Sequence, residues 1–384
     1  MLNIILELVF LSLLIYYSYF LLKVLSGLFK LITENDGTLA KEFISIIIPF
    51  RNESENILES LDSLESQNYP KDKFEVIYVN DSSEDDSFQK IMSIEKSSNI
   101  RVMSVPEDFS VNAHKKRAIR FGILHSNGDI IITTDADCIH GKSWLKKMLD
   151  CFDSSTLFVS GPVEFIEERS VFEKLQKLEF SGLVLTGAGL IGINKPVICN
   201  AANIAYRKEA YDKVNGFNDQ MNLSSGDDEL LMQKMWAANR SGVKFCWNRE
   251  AVAYTKGNES LSKFYYQRKR WASKGLFYAD NILILKLILI FMFYLGLIVQ
   301  LLLSVLMSPL FLLSFIFSLL IKSILEYLIL RRGLNFILNR VILRYLLLAE
   351  LFQIPYIIIA GITGTFGNYI WKERRVKRQC KTVV

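Results

Sequence analysis

The stretch Ile130-Ile131-Ile132-Thr133-Thr134-Asp135-Ala136-Asp137 decides the fold, because an apolar, β-branched run passes directly into two carboxylates. Such a run is typical of a buried strand. A strand that ends in Asp-x-Asp directs both carboxylates beyond the sheet, where their oxygens suit a hard divalent cation that holds a diphosphate. Acidic residues also close strands as solvated turns, so the motif alone favours neither interpretation.

Strand-like runs alternate with helical patterns on the amino-terminal side of this stretch, which predicts an α/β fold with a parallel sheet and crossover helices. Strands are predicted at 44–48, 74–79, 100–105 and 129–134, and helices at 53–66 and 114–125. Ligands of open α/β sheets bind beyond the carboxyl ends of the strands. Arg51, Asp81, Asp135 and Asp137 should therefore share one crevice. No G-x-G-x-x-G follows the first strand and no Walker A sequence occurs, which counts against a dinucleotide cofactor or a P-loop ATPase.

Basic residues open the predicted helix at 114–125. Lys115 near a helix start suits a phosphate, since the helix amides add positive potential, although a solvated basic turn would look the same. His114, His125 and His140 lack the spacing of metal ligands, so each is predicted to be a surface or capping residue.

A run of three carboxylates, Asp227-Asp228-Glu229, precedes an apolar helical stretch. Acidic residues in the first turn of a helix are favoured by the macrodipole, so one interpretation is an N-terminal cap. The other is a general base, because neighbouring carboxylates repel one another and raise one pKa.

The motif Gln267-Arg268-Lys269-Arg270-Trp271 lies in an amphipathic stretch, 261–278. This composition is typical of an interfacial helix at headgroup depth. Arg beside Trp also forms a rigid surface that suits a polyhydroxyl acceptor. The two interpretations are compatible.

Apolar residues, which make up half of the 384 residues, are concentrated at the two ends of the chain. Runs at 4–22, 282–307 and 309–330 are long enough to span a bilayer, and the first lacks the features of a signal peptide, so it is predicted to be a retained anchor. Lys23, Lys30, Arg331 and Arg332 follow these runs, which predicts a multi-pass cell-membrane protein with a cytosolic soluble domain. The run at 345–370 has basic residues on both sides, a proline and three glycines, which favours a re-entrant hairpin.

The formal net charge of +5 owes much to the tail at 372–384, which indicates contact with lipid headgroups. No interleaved aromatic and basic patch indicates nucleic acid. The five cysteines are scattered without a C-x-x-C pair, so neither a disulfide framework nor a zinc site is predicted.

Taken together, these motifs resemble the membrane-bound family 2 glycosyltransferases, the group of cellulose, chitin, hyaluronan and poly-N-acetylglucosamine synthases. They follow the family's order: Pro49-Phe50-Arg51-Asn52-Glu53, Asn80-Asp81, Lys115, Asp135-Ala136-Asp137, Asp227-Asp228 and Gln267-x-x-Arg270-Trp271. Two positions depart from the family pattern, Asp227 where glutamate is usual and His114 where glycine is usual.

The resemblance implies a GT-A fold, a nucleotide-sugar donor that is commonly a UDP-sugar, and Mg²⁺ or Mn²⁺. It implies that the donor is bound by residues of the first half of the chain: Pro49, Arg51, Glu53 and Asp81 at the base, and Lys115 and Asp135 at the nucleotide and its phosphates. Asp137, with Asp135, would ligate the metal, and Asp228 would be the general base. Asp227, Gln267, Arg270 and Trp271 would lie on the acceptor and diphosphate side.

The expected order of segments is an anchor at 1–32, a cytosolic GT-A domain at 41–260, an interfacial helix at 261–280, a membrane region at 281–371 and a basic cytosolic tail at 372–384. The predicted function is inverting transfer of a sugar to a saccharide or lipid acceptor at the bilayer, with processive polysaccharide synthesis as one form. The alternatives are addition of a single sugar to a membrane lipid, and an inactive membrane subunit or nucleotide-sugar sensor. The sequence does not identify an export partner.

Overall fold

The computed structural model describes residues 1–31, 42–109, 114–166, 169–218, 226, 228–273, 278, 280–340, 342–366, 369–371 and 374–376. The chain divides into two compact units. The helical unit comprises Met1–Leu28, Glu168–Leu185 and Asn258–Val384, and the sheet unit comprises Phe29–Glu167 and Thr186–Gly257.

Within the described residues, the sheet unit is built on a seven-stranded mixed sheet with the order β3-β2-β1-β4-β8-β6-β9, beside a three-stranded sheet with the order β5-β10-β7. Its strands are β1 (Ile44–Phe50), β2 (Phe74–Asn80), β3 (Ile100–Ser104), β4 (Ile130–Thr133), β5 (Ile139–His140), β6 (Phe158–Ser160), β7 (Val163–Phe165), β8 (Ile204–Arg207), β9 (Val243–Phe245) and β10 (Ala253–Thr255). The four predicted strands are present and parallel. The sheet as a whole is mixed, because β8, which lies outside the stretch with predicted strands, runs antiparallel to β4 and β6. Strands of three or four residues are too short to show a period in the sequence.

The helices are α1 (Leu2–Lys30), α2 (Ile57–Glu65), α3 (Ser87–Ser93), α4 (His114–Leu124), α5 (Trp144–Leu149), α6 (Val171–Gly192), α7 (Lys208–Lys213), α8 (Glu229–Ala238), α9 (Leu261–Ala272), α10 (Asn281–Leu306), α11 (Leu310–Arg332) and α12 (Leu346–Phe366). A hairpin of β11 (Tyr369–Trp371) and β12 (Arg374–Val376) follows α12. Every residue of β1, β2 and β4 is buried, as expected for strands covered on both faces. Trp144 of α5 packs fully buried in the same core.

Among the described residues, four helices are long and apolar enough to cross a membrane: Leu2–Lys30, Asn281–Leu306, Leu310–Arg332 and Ile342–Thr365. The first three match the predicted runs. The fourth corrects the sequence analysis, because α12 is one continuous helix with Pro355 inside it, and the expected re-entrant hairpin is wrong. Proline is tolerated in apolar helices where neighbouring groups satisfy the freed carbonyl.

The glycines of α12 permit close helix packing, which explains why they misled the sequence analysis. A Cβ added at Gly364 would lie 2.7 Å from the Lys269 carbonyl oxygen and 2.8 Å from the Ala272 Cβ, both on α9. A Cβ at Gly361 would lie 2.8 Å from the Phe291 ring of α10. Small residues at these positions let the backbones approach closely, which is also a common feature of helix pairs in membrane proteins.

A buried charged network joins α11 and α12. The Lys322 ammonium, which is fully buried, forms an ion pair with Glu350 and lies 2.9 Å from a Glu326 carboxylate oxygen and 2.7 Å from the Gln353 amide oxygen. The Tyr17 hydroxyl of α1 donates to Glu326 at 2.7 Å. Ionisable groups inside apolar helices are costly unless they are paired in this way.

Candidate active site

Three predicted site residues follow neighbouring strands of the sheet at one edge. The order β2-β1-β4 places the carboxyl ends of these parallel strands side by side, with Phe50 in register with Asn80 and Ile47 with Thr133. The Asp81 amide donates to the Phe50 carbonyl at 2.9 Å. Arg51, Asp81 and Asp135 therefore lie at a common edge, as the sequence analysis predicts.

The first turns of α4 connect two of these strand ends through ion pairs. The Lys115 ammonium lies 2.6 Å from Asp135 Oδ1. The Arg117 guanidinium donates to Asp81 Oδ1 through Nη2 at 2.6 Å and through Nε at 3.2 Å. Sequence reasoning missed Arg117, whose only signal was its place in the basic run after His114. The basic start of α4 thus holds both acidic strand ends.

Arg51 supports the loop after β2. Its side chain is 3% exposed, and the guanidinium donates to the Ser82 carbonyl and pairs with Glu84 at 2.5 Å. Asn52 and Ser82 adopt left-handed backbone conformations, with φ of 52° and 57°. These turns make the two loops compact, and Arg51 joins them. Pro49 is buried in β1, and Glu53 accepts a hydrogen bond from the Asn56 side chain at 2.9 Å.

The Asp-x-Asp pair follows β4 with both carboxylates partly exposed. Among the described residues, no group of three or more His, Cys, Asp or Glu side chains forms a cation site. Two carboxylates fit a Mg²⁺ or Mn²⁺ ion that takes its other oxygens from a diphosphate and water, which is how magnesium is usually held. Burial, with the charges of Asp137 and Asp135, raises the pKa of the Cys138 thiol well above its ordinary value. That thiol is therefore neutral and unsuited to act as a nucleophile.

Asp228 is the N-cap of α8, which confirms the capping interpretation. One carboxylate oxygen accepts from the Glu229 amide at 2.7 Å and the other from the Ala201 amide at 3.0 Å. The side chain is 8% exposed, so its direction is fixed. Asp227 lies outside the described residues.

The segment at 200–203 brings Asp228 to the end of β4, and sequence reasoning missed it. The Thr134 hydroxyl donates to the Ala202 carbonyl at 2.8 Å, one residue from the amide that binds Asp228. Thr134 directly precedes Asp135. The capped carboxylate therefore lies on the Asp-x-Asp side of the sheet.

His140 corrects the expectation of a surface or capping histidine, since it is 4% exposed. Its ring lies 4.1 Å from the Trp144 ring, between centroids, and its Nε2 lies 3.0 Å from the Thr134 hydroxyl. Because that hydroxyl donates to Ala202, the imidazole Nε2–H is the donor. Burial lowers the pKa of His140 to about 3.

This buried neutral imidazole should make stability depend on pH. The folded pKa lies below the unfolded value of about 6.5, so the unfolded chain binds the proton first and stability falls as pH falls below 6.5. Between about pH 7.5 and about pH 5, we expect His140 to contribute a loss of about 2 kcal/mol in the free energy of unfolding. The measurement is the free energy of unfolding of the detergent-solubilised protein as a function of pH. His140→Gln should remove the loss at low pH, and His125→Gln, at an exposed histidine, should not. Equal slopes of this free energy against pH in the wild type and both variants would contradict the prediction.

The remaining predicted residues lie on α9 of the helical unit. The helix ends at Ala272, earlier than predicted, and Ser260 caps it through the Lys263 amide at 3.2 Å. Gln267, Arg270 and Trp271 are each partly buried. The Gln267 amide oxygen accepts from the Asn258 side chain at 3.0 Å. Gln267 is thus held by a hydrogen bond, and none of the three residues is freely exposed.

Comparison with known protein families assigns this chain to a family. A model described as "Glycosyl transferase family group 2" matches residues 130–360. The chain belongs to this family. A second model, "Glycosyl transferase family 2", matches residues 45–214 of the family 2 chain, so the resemblance predicted from the motifs is confirmed.

Curated relatives of this family 2 chain include two named enzymes. It is 27% identical over 187 residues to glycosyltransferase AglE of Haloferax volcanii, covering 48% of this chain and 59% of AglE. It is 23% identical over 239 residues to poly-beta-1,6-N-acetyl-D-glucosamine synthase of Staphylococcus epidermidis, covering 61% of this chain and 55% of the synthase. The chain thus spans a little over half the length of either relative.

Among solved structures, the mannosyltransferase PcManGT of Pyrobaculum calidifontis, in complex with GDP-Man and Mn²⁺, shares the fold. The TM-score is 0.56 at 18% identity, covering 94% of this chain and 99% of that one. The predicted GT-A fold of this family 2 chain is confirmed.

Proposed function

We propose that this chain is an inverting glycosyltransferase that moves a sugar from a nucleotide-sugar to a saccharide or lipid acceptor at a membrane. The observation that carries the proposal is the common edge of β2, β1 and β4, where α4 holds Asp81 and Asp135. We favour a UDP-sugar as the donor, because enzymes of this family commonly use UDP-sugars. The relative in Staphylococcus epidermidis is a polymer synthase, which supports processive synthesis as one form of the reaction.

The donor side would use the sheet unit. Asp81 would bind the base, with Pro49, Arg51 and Glu53 shaping the loops around it, and Arg117 would keep the Asp81 carboxylate oriented. Lys115 would neutralise phosphate charge, which suits its place in the first turn of α4. Asp137, with Asp135, would hold Mg²⁺ or Mn²⁺, and the Mn²⁺ in PcManGT supports a divalent ion.

The acceptor side would use Asp228. Its capped carboxylate would take the proton of the acceptor hydroxyl as the hydroxyl oxygen attacks the anomeric carbon. The bond from that carbon to the diphosphate oxygen breaks, and the electron pair leaves with the nucleoside diphosphate, so the configuration inverts. Lys115 would stabilise the charge that develops on the diphosphate. When bound, the divalent ion supplies further positive charge to the leaving group.

The membrane arrangement is part of this proposal. Basic residues follow α1 at Lys30 and end α11 at Arg331 and Arg332. By the positive-inside rule, these helix ends and the sheet unit would lie in the cytosol. Gln267, Arg270 and Trp271, with Asp227, would serve the acceptor and diphosphate side, and α9 would lie at headgroup depth.

One assay tests the proposal and separates its forms. Membranes that contain the protein are incubated with Mn²⁺ and radiolabelled UDP-glucose, UDP-N-acetylglucosamine or GDP-mannose, and label is followed into polymer and lipid extracts. High-mass label supports a polysaccharide synthase, and lipid-soluble label supports a single-sugar transferase. Absence of incorporation from every donor, where a related enzyme is active, would reject the transferase and leave the inactive subunit or sensor.

Asp137→Ala should weaken metal-dependent donor binding at least about tenfold, since metal-ligand partners commonly contribute this much affinity. The measurement is the dissociation constant of the donor with Mn²⁺ and with a chelator. Asp212→Ala, which removes an exposed carboxylate of α7, is the matched control and should not change binding. A dissociation constant unaffected by Asp137→Ala would contradict the ligand role.

A further inference from the structure

Arg268, the residue after Gln267, is the most buried cation of α9. Its side chain is 4% exposed, and its partner Glu179 on α6 is 8% exposed. The guanidinium binds both carboxylate oxygens: Nε donates to Oε1 at 3.0 Å, and Nη2 donates to Oε2. This two-point pairing fixes the plane of the guanidinium, which a lysine does not do.

The fixed guanidinium contacts two residues of the Gln-x-x-Arg-Trp motif at once. Its third nitrogen, Nη1, donates to the Gln267 amide oxygen. Its central carbon lies 4.2 Å from the centroid of the Trp271 ring and 4.4 Å from that of Phe264. A cation over an indole ring is attracted by the electron-rich face, so Arg268 restrains the ring as well as the amide.

This cluster is also anchored to α12. The Tyr356 hydroxyl donates to Glu179 Oε1 at 2.7 Å, and the Tyr265 hydroxyl donates to the Thr363 hydroxyl at 2.8 Å. Gly364 brings the α12 backbone against the end of α9. Site residues keep the geometry that a reaction requires when surrounding residues pack against them and hydrogen-bond to them.

We propose that Arg268 is a positioning residue of the transfer reaction, which holds the Gln267 amide and the Trp271 ring in the orientation that receives the acceptor. The inference rests on the proposed function, because it assigns these two residues to the acceptor side. Arg268 acts through them, and Glu179 orients Arg268. A misplacement of about 1 Å at such a site can cost about 100-fold in rate.

The test uses the full-length protein in membranes and the radiolabelled donor that the wild type uses in the panel above. Arg268→Lys keeps the charge but loses the planar guanidinium that binds both Glu179 oxygens. It should lower the maximal rate about 30-fold, while the donor KM changes less than about threefold. Glu179→Gln should also lower the maximal rate, by a smaller factor than Arg268→Lys. Lys263→Gln, which breaks an exposed ion pair on the same helix, is the control and should retain the rate within about twofold.

A double-mutant cycle separates positioning from stability. In a Trp271→Ala background, Arg268→Lys should lower the rate by a smaller factor than in the wild-type background, because one of the two residues that Arg268 restrains is gone. An equal loss in both backgrounds would overturn the proposal, as would a wild-type rate in Arg268→Lys. Absence of transfer by the wild type would instead reject the proposed function.

Acrylamide quenching supplies a readout that does not depend on activity. The emission of Trp271 is obtained as the difference between each protein and its Trp271→Phe counterpart. Arg268→Lys should make this emission more accessible to acrylamide, and Lys263→Gln should not. Unchanged quenching would mean that Arg268 does not restrain the ring.

Discussion

We expect Asp228→Asn to lower sugar transfer about 10³-fold while donor binding is retained, since a positioned general base contributes roughly 10² to 10⁴ in rate. The variant keeps the size and shape of the side chain but removes the basic oxygen. Asparagine is a good N-cap, so α8 should still form. Its NH₂ group would face one of the two amides that Asp228 now binds, at a cost of about 1 kcal/mol in stability.

The control for this variant is Asp280→Asn. Asp280 caps α10 through the Ile282 amide at 2.8 Å and is exposed, so the same chemical change is made at a cap without a proposed catalytic role. Transfer should be unchanged. The measurements are the rate at saturating donor, the dissociation constant of the donor and the thermal midpoint. Turnover that persists in Asp228→Asn would show that another group accepts the proton.

We expect Lys322→Met to destabilise the helical unit by about 3–5 kcal/mol, because it leaves the buried Glu350 and Glu326 carboxylates without their cation. One Glu350 oxygen already has no hydrogen-bond partner among the described residues. The measurement is the free energy of unfolding in detergent micelles. The exposed Lys286→Met on α10 should change it by less than about 0.5 kcal/mol.

A second substitution tests the cause of that loss. Adding Glu350→Gln to Lys322→Met removes one of the two uncompensated carboxylates and should recover part of the stability. If Glu350→Gln destabilised the Lys322→Met protein as much as it destabilises the wild type, the loss of stability in Lys322→Met would come from packing rather than from charge.

The local sequence predicts what depends on short-range pattern. Continuous apolar runs identify β1, β2 and β4, and the parallel rule then brings Asp81 and Asp135 to one edge. The spans α1, α10 and α11 follow from length and hydropathy. Asp228 as a cap follows from its place before an apolar helix.

Contacts between segments distant in sequence have no such pattern. The Ala201 amide binds Asp228 across 27 residues, and Arg117 binds Asp81 across 36. The glycines of α12 misled the sequence analysis because their role depends on which helices lie opposite. His140 is predicted to be a surface or capping residue because its burial depends on distant segments, namely Ser63 of α2 and the pairing of β5 with β10.

The Lys115–Asp135 ion pair gives the site an internal counter-ion. In a nucleotide-sugar transferase, an arriving diphosphate would exchange one anionic partner of Lys115 for another instead of meeting an isolated cation. Donor affinity would then depend less steeply on ionic strength than the charge of a diphosphate suggests. After transfer, the Asp135 carboxylate would compete with the nucleoside diphosphate for Lys115. The nucleoside diphosphate would then leave as the Lys115–Asp135 ion pair forms again.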